Sequence, residues 1–257
     1  MLTPAFALQL TSLAVAIAVV QQSAELLALR RAMADDGVWA WSVLRREFVG
    51  VPAGLADALF GYRGTIAVLA LRLAAAAAVP FAPVLPCLLV MLATTLLVAL
   101  RWRGSFNGGS DAMTITVLLA ASIAAAFEGS AAVQLGCLWY VALVSVHSYV
   151  IAGLVKLRAP AWRDGTALGI FVAGSVHGAP PGAAWFARPG IARAVSWTMI
   201  ALECLFPLAL LDPWICAGFI ALAVPFHVAN AYVFGLDRFV FAWVATYPAL
   251  LYCSAIA

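Results

Sequence analysis

The sequence predicts an all-α protein, a polytopic membrane helical bundle with about eight transmembrane helices. Of its 257 residues, 66% are hydrophobic and only 10% are charged, and the mean hydropathy is +1.06. Soluble domains have about one quarter charged residues. A helix that crosses the hydrocarbon layer needs about 20 mostly apolar residues, and runs of this kind follow one another along the chain. We therefore expect one integral membrane domain over residues 1–257, with no separate soluble domain.

Eight apolar runs carry this prediction. The first run has no basic residues before it and no small-residue cleavage pattern after it, which favours a retained helix over a cleaved signal peptide. The second run is short and contains Arg72. The predicted spans cover residues 5–27, 64–80, 84–100, 112–128, 131–156, 192–211, 213–234 and 239–256.

Every basic residue except Arg72 lies in an odd-numbered connection between these runs or within two residues of its ends, and is counted with that connection. The even-numbered connections and both termini have none. The positive-inside rule then predicts that the odd connections are cytoplasmic and that both termini face away from the cytoplasm. Alternatively, the arginines of this face bind an anionic substrate. The basic residues of the odd connections are Arg30, Arg31, Arg45, Arg46, Arg63, Arg101, Arg103, Lys156, Arg158, Arg163, Arg188, Arg193 and Arg238.

Composition also argues against two kinds of site. The five cysteines lie singly in apolar runs, without the spacing of a metal site, so we interpret them as small apolar side chains and predict no metal. The net charge of +3 comes from short connections between spans and not from a folded basic domain, so nucleic-acid binding is not expected.

The third connection reads RWRGSFNGGSD and contains a strong turn signal at Asn107, Gly108 and Gly109. In one interpretation, Ser110 or Asp111 caps the helix that follows. In the other, the glycines let a ligand approach the backbone, and Asp111 holds a cation or orients Lys156.

Lys156 is the only lysine in the chain. It follows Ser145, Tyr149 and Ala152 at helical spacing, which predicts one stripe down the fifth span. A lysine at the end of a span can be an anchor that extends to the interface. Because every other basic residue is arginine, and only lysine readily loses its proton when buried, a role as a chemical base is the alternative.

The residues after Lys156 and three polar residues in later spans are further candidates. Arg158, Trp162 and Arg163 either belong to a surface turn or bind an anionic group. Polar groups at membrane depth are costly and usually face a bundle interior or a cavity. Glu203, His227 and Asn230 are such groups, although a histidine can also bond to the carbonyl that Pro225 leaves free.

The stretch YVIAGLVKLRAPAWRDGTAL resembles the A-G-x-x-K-L…W-x-x-G-x-A-L motif shared by the horizontally transferred transmembrane (HTTM) family and vitamin K-dependent gamma-carboxylase. The segments GGSD, ECLFPL and FHVANAYVFGLDRF…YP occur in the order found in bacterial members. The resemblance covers residues from about 101 to 257. It implies a bacterial inner (cytoplasmic) membrane protein that modifies or matures a peptide, with chemistry like that of the carboxylase.

The resemblance also implies roles for particular residues. Lys156 would be the base that deprotonates a reduced quinone of the vitamin K type, and His227, Glu203 and Asp111 would position the reactants. The expected partners are membrane lipid and a peptide substrate or partner membrane subunits. A non-catalytic subunit of a larger complex that binds lipid or quinone is the alternative function. The candidate substrate-binding residues are Tyr149, Arg158, Trp162, Arg163, Asn107, Gly108 and Gly109.

Overall fold

A computed structural model describes residues 3–47, 52–102, 108–174 and 182–257 of the chain. Every regular element in these ranges is a helix. The chain divides into two compact units. The N-terminal unit is Leu8–Cys137, and the C-terminal unit is Leu138–Ala257 together with Met1–Ala7.

The N-terminal unit contains most of the first helix and the start of the seventh. A single 3-10 turn, Arg45–Glu47, follows α2. The helices are α1 (Pro4–Ala28), α2 (Trp41–Leu44), α3 (Ala53–Phe60), α4 (Tyr62–Ala78), α5 (Val84–Arg101) and α6 (Gly108–Ala126).

The C-terminal unit contains the rest of the seventh helix and all later elements. Two 3-10 segments, Ala183–Ala187 and Phe206–Leu210, accompany its helices. The helices are α7 (Ala131–Arg158), α8 (Pro160–Arg163), α9 (Thr166–Ala173), α10 (Pro189–Leu205), α11 (Pro213–Phe234), α12 (Asp237–Val244) and α13 (Tyr247–Ser254).

Six of the described helices are long and apolar enough to cross a membrane, which supports an integral membrane protein. These are α1, α5, α6, α7, α10 with the 3-10 segment that continues it, and α11. A seventh span results if α3 and α4, which meet at an angle of 58°, are counted as one broken helix. The count of eight is not confirmed.

The last predicted run, residues 239–256, accounts for the difference between the eight predicted spans and the seven counted with the bent pair. It forms α12 and α13, which have eight residues each. Pro248 has no backbone N–H, so it cannot donate to the carbonyl one turn earlier at Val244. The helix is interrupted just before it, at Ala245 and Thr246.

A buried polar chain joins three helices of the N-terminal unit. Arg72 on α4 is only 1% exposed, and its Nη2 donates to Oε1 of Gln22 at 2.7 Å. Nε2 of Gln22 donates in turn to Oγ1 of Thr114 at 2.9 Å. An arginine inside an apolar helix is tolerated where polar partners replace water. Arg72 is thus held within the unit by α1, and α1 is linked to α6.

Arg101 has a structural role that charge counting did not predict. It ends α5 and is 1% exposed. Its Nε donates to the carbonyl of Phe60 at 3.1 Å, and its Nη2 donates to the carbonyl of Trp39 at 3.0 Å. The guanidinium also lies 4.6 Å from the centre of the Trp102 ring. Arg101 therefore links the last residue of α3, Phe60, and the segment before α2, at Trp39, to the end of α5.

We expect Arg101→Met to destabilise the protein, because the carbonyl of Trp39 would lose its guanidinium donor and that of Phe60 would keep only the hydroxyl of Thr65. Leaving buried polar groups unsatisfied costs about 1–3 kcal/mol, which corresponds to a fall in Tm of roughly 3–10 °C. Thermal unfolding of the purified protein in detergent measures this. Arg46→Met is the control, because Arg46 is exposed, and its Tm should stay within about 1 °C of wild type. Equal Tm values for the two variants would contradict the role of Arg101.

Candidate functional site

The C-terminal unit encloses a cavity of about 480 Å³, which we call the polar cavity. Seven of its sixteen lining residues are aromatic, and most of the polar ones come from α7, α10 and α11. Ligand sites typically combine an apolar, aromatic lining with a few polar groups. The lining residues are Ser148, Tyr149, Ala152, Lys156, Trp162, Phe171, Gly174, Met199, Glu203, Phe226, His227, Asn230, Phe234, Leu236, Phe239 and Trp243.

Lys156 and Glu203 form an ion pair in this cavity. Nζ of Lys156 donates to both carboxylate oxygens of Glu203 at 2.8 Å. The Lys156 side chain is 16% exposed and that of Glu203 only 3%. The lysine is therefore held inward by a partner instead of extending to the interface as an anchor.

The indole of Trp162 lies beside the same ammonium. Nζ of Lys156 is 5.4 Å from the centre of the ring, within the range of a cation–π contact. Trp162 belongs to α8, directly after the helix that carries the lysine. Its ring also stacks on Phe171 of α9, with centroids 5.7 Å apart. These two aromatic side chains form one wall of the cavity next to the charge pair.

Gly153 permits the close approach of the two helices that carry the pair. A Cβ atom on Gly153 would lie 2.8 Å from the backbone N and the Sγ of Cys204, and 2.9 Å from Cβ of Glu203. Real side chains do not fit at such distances. Gly153 is three residues before Lys156, and therefore on the same helix face. The glycine brings α10 close enough for Glu203 to reach the lysine.

A second polar centre lies two helical turns before Lys156. The hydroxyl of Tyr149 is 2.7 Å from Nε2 of His227 and 3.2 Å from the hydroxyl of Tyr247. Both Tyr149 and His227 are buried, at 3% exposure each. Nδ1 of His227 has no hydrogen-bond partner among the described residues. His227 therefore bonds to another helix through one nitrogen, and its other nitrogen has no partner in the described part of the chain.

Aromatic packing holds Tyr149 in this position. Its ring stacks on Phe206 with centroids 3.8 Å apart and an interplanar angle of 14°. Trp243 contacts both Tyr149 and His227, at centroid distances of 6.4 and 5.4 Å. The sequence did not single out Phe206, Trp243 or Tyr247, because an aromatic residue in an apolar run is most often simple packing.

The segment after α7 is a turn that docks on α10. The carboxylate of Asp164 accepts from the backbone N–H of Thr166 at 2.8 Å, and its hydrogen bonds with Thr166 hold the pKa of Asp164 below its usual range. Gly165 has a φ of +88°, and a Cβ there would lie 2.4 Å from the backbone N of Arg193. The turn interpretation of this segment thus has a structural basis in Asp164 and Gly165.

Several predicted residues do not line the polar cavity. Arg158 and Arg163 are exposed, although the carbonyl of Arg163 accepts from Nε1 of Trp197 at 3.0 Å. Gly108 and Gly109 lie in the first turn of α6, in the N-terminal unit. Asp111 is buried in the same turn, so the cavity does not include it. Asn107 lies outside the described residues.

We expect Gly153→Ala to destabilise the C-terminal unit by about 1–3 kcal/mol, because its methyl group would overpack the contact with α10. The Tm in detergent should fall by roughly 3–10 °C. Gly136→Ala is the matched control, since Gly136 lies on the same helix with no heavy atom within 4 Å of a new Cβ. There the change should be neutral or stabilising, by about 0.5–1 kcal/mol. A Gly153→Ala variant at least as stable as Gly136→Ala would contradict this packing.

Comparison with the models of known protein families, with curated proteins and with solved structures finds no match for this chain. The HTTM resemblance therefore stays a prediction from the sequence motifs. Within the C-terminal unit, the motif positions nevertheless have clear physical roles. Gly153 sets the helix contact, Lys156 forms the ion pair, Trp162 forms a wall and Gly165 makes a tight turn.

Proposed function

We propose that the protein is a membrane enzyme of the HTTM type, which uses Lys156 as a general base on a hydroxyl group of an apolar, aromatic ligand in quinol-dependent modification or maturation of a peptide. One observation carries the proposal. Lys156 and the buried Glu203 form an ion pair that lines a cavity with many aromatic residues. Titratable pairs in such a setting are typical of sites that move protons.

The ion pair can take one proton from a bound ligand while the pair and the ligand together keep the same net charge. In the resting pair, Lys156 is an ammonium ion and Glu203 a carboxylate. Burial disfavours charged groups, so transfer of one proton to Glu203 gives a neutral amine and a carboxylic acid. The amine of Lys156 can then take the proton of a bound hydroxyl. Glu203 ends with the proton, and the restored ammonium stabilises the negative charge left on the ligand.

Tyr149 and His227 supply a polar contact beyond this pair. The free Nδ1 of His227 either donates or accepts, depending on which nitrogen carries the hydrogen. A bound oxygen would satisfy this otherwise unpartnered atom. Because its contact with Tyr149 fixes the ring, His227 is suited to orient a ligand whose hydroxyl lies at Lys156.

A reduced quinone fits the chemistry of this cavity. The volume of about 480 Å³ is within the usual range for ligand sites, about 300–1,000 Å³. Trp162 and Phe171 offer flat surfaces for a ring, and the Lys156–Glu203 pair would hold one of its hydroxyls. When bound, such a quinol would supply the electrons for reaction with oxygen, which in the gamma-carboxylase resemblance generates the strong base that acts on a glutamate side chain.

The membrane setting is part of the proposal. Six or seven apolar helices support an integral membrane protein. The alternation of basic residues along the sequence further supports eight spans in a bacterial inner membrane, with α12 and α13 together as the eighth. The peptide substrate would be one that is processed at this membrane.

We expect Lys156→Arg and Lys156→Met each to lower activity by about 10²–10⁴-fold, the usual contribution of a general base. Arginine keeps the positive charge but does not give up its proton. The assay is oxygen uptake by the purified protein after addition of a reduced naphthoquinone. Glu203→Gln should also lose activity, because glutamine cannot hold the transferred proton.

Arg188→Met is the control, because it removes a positive charge from an exposed position outside the cavity, and it should keep wild-type oxygen uptake. Full activity in Lys156→Arg would overturn the role of Lys156 as a base. That result would instead favour the non-catalytic, quinone- or lipid-binding subunit, for which an ammonium or a guanidinium serves equally well.

A further inference from the structure

A second cavity of about 600 Å³ lies beside the polar cavity in the C-terminal unit. We call it the apolar cavity. It lies mainly between α10 and α11, and among the described residues its lining has no charged side chain. Of these lining residues, Thr198 and Asn230 contribute polar groups. A space of this kind suits hydrocarbon, because it offers almost no partners for a polar ligand.

The two cavities share part of their walls. Met199, Phe226, Asn230 and Phe234 line both of them. The apolar cavity therefore adjoins the aromatic chamber that contains the Lys156–Glu203 pair. The cavities meet at these four side chains, so a ligand that passed between them would have its polar end at the ion pair and its apolar end between α10 and α11.

The apolar cavity also has walls that face the surroundings of the protein. Leu205 and Leu222 line it and are nevertheless 51% and 61% exposed. They belong to the two helices whose apolar windows are the least buried of the six candidate spans, at 28% for α10 and 17% for α11. In a membrane, this exposed apolar surface would contact the acyl chains of the lipid. The cavity therefore lies where a hydrocarbon chain can enter sideways from the bilayer.

From these observations we infer that the apolar cavity binds the hydrocarbon chain of the same ligand whose hydroxyl-bearing ring lies beside Lys156, and that this ligand enters from the bilayer between α10 and α11. The inference rests on the proposed function for the position of the ring, and it adds the place of the chain and its route of entry. The chain can be isoprenoid or straight, since the lining recognises only its apolar character.

The test uses a reduced naphthoquinone that carries a ten-carbon chain with a diazirine at its end. The purified protein in nanodiscs is irradiated with this probe, and the labelled peptides are identified by mass spectrometry. We expect labelling of residues that line the apolar cavity, such as Leu202, Leu222 and Phe219. Labelling only at positions outside this lining would overturn the inference, and so would no labelling.

Two substitutions on α11 provide a matched pair. Ala229 lines the apolar cavity, whereas Ala221 is exposed and lines neither cavity. Ala229→Phe should lower labelling at least tenfold, and Ala221→Phe should change it by less than twofold. Ala201→Phe fills the same cavity from α10 and should act like Ala229→Phe, which covers the case in which one variant does not fold. Equal labelling in all of these variants would overturn the inference.

Two further comparisons complete the test. One distinguishes a ligand chain from bulk lipid, and the other distinguishes failure of this inference from failure of the proposed function. An equally tagged phosphatidylglycerol that labels the apolar cavity, where the naphthoquinone probe does not, would overturn the inference, because the chain would then belong to bulk lipid. Oxygen uptake that depends on Lys156, without chain labelling in the cavity, contradicts only this inference. Chain labelling together with a fully active Lys156→Arg variant contradicts only the proposed base.

Discussion

The ion pair between Lys156 and Glu203 is the interaction on which the candidate site depends. Each charge alone would be costly where so little of either side chain is exposed, and pairing through two hydrogen bonds of 2.8 Å compensates part of that cost. The pair in turn depends on Gly153, because a side chain there would hold α7 and α10 apart. Gly153 has no reactive side chain, but its lack of a Cβ lets Lys156 and Glu203 come into contact.

The space around this pair in the C-terminal unit has a polar region and an apolar region. At the pair, Trp162 shields the ammonium, and Tyr149 and His227 add a second polar centre. Farther along α10 and α11 the walls become apolar, and part of them is exposed on helices suited to a membrane. The proposed ligand, which is amphipathic with a flat, hydroxyl-bearing end, would contact both regions, each through one of its parts.

Buried arginines in the N-terminal unit show how the same residue type serves different purposes. Arg72 bonds to a side chain of α1, and Arg101 bonds to two backbone carbonyls. Both are structural partners of polar groups that water cannot reach. Counting arginines by connection treats Arg101 as a surface charge, although it is 1% exposed. A charge near the end of an apolar run therefore does not by itself indicate which side of the membrane it faces.

The sequence alone determined the class of the protein, because apolar runs of about 20 residues have few uses other than membrane helices. It also identified Lys156, Glu203 and His227, since polar groups in such runs need a reason to be there. Only the tertiary structure decided which of them meet. Glu203 follows Lys156 by 47 residues and His227 follows Tyr149 by 78, and helical spacing defines one face of a helix but not the distant face that packs against it. The tertiary structure likewise decided that residues 239–256 form two short helices, and that Asp111 belongs to the N-terminal unit and not to the unit that contains Lys156.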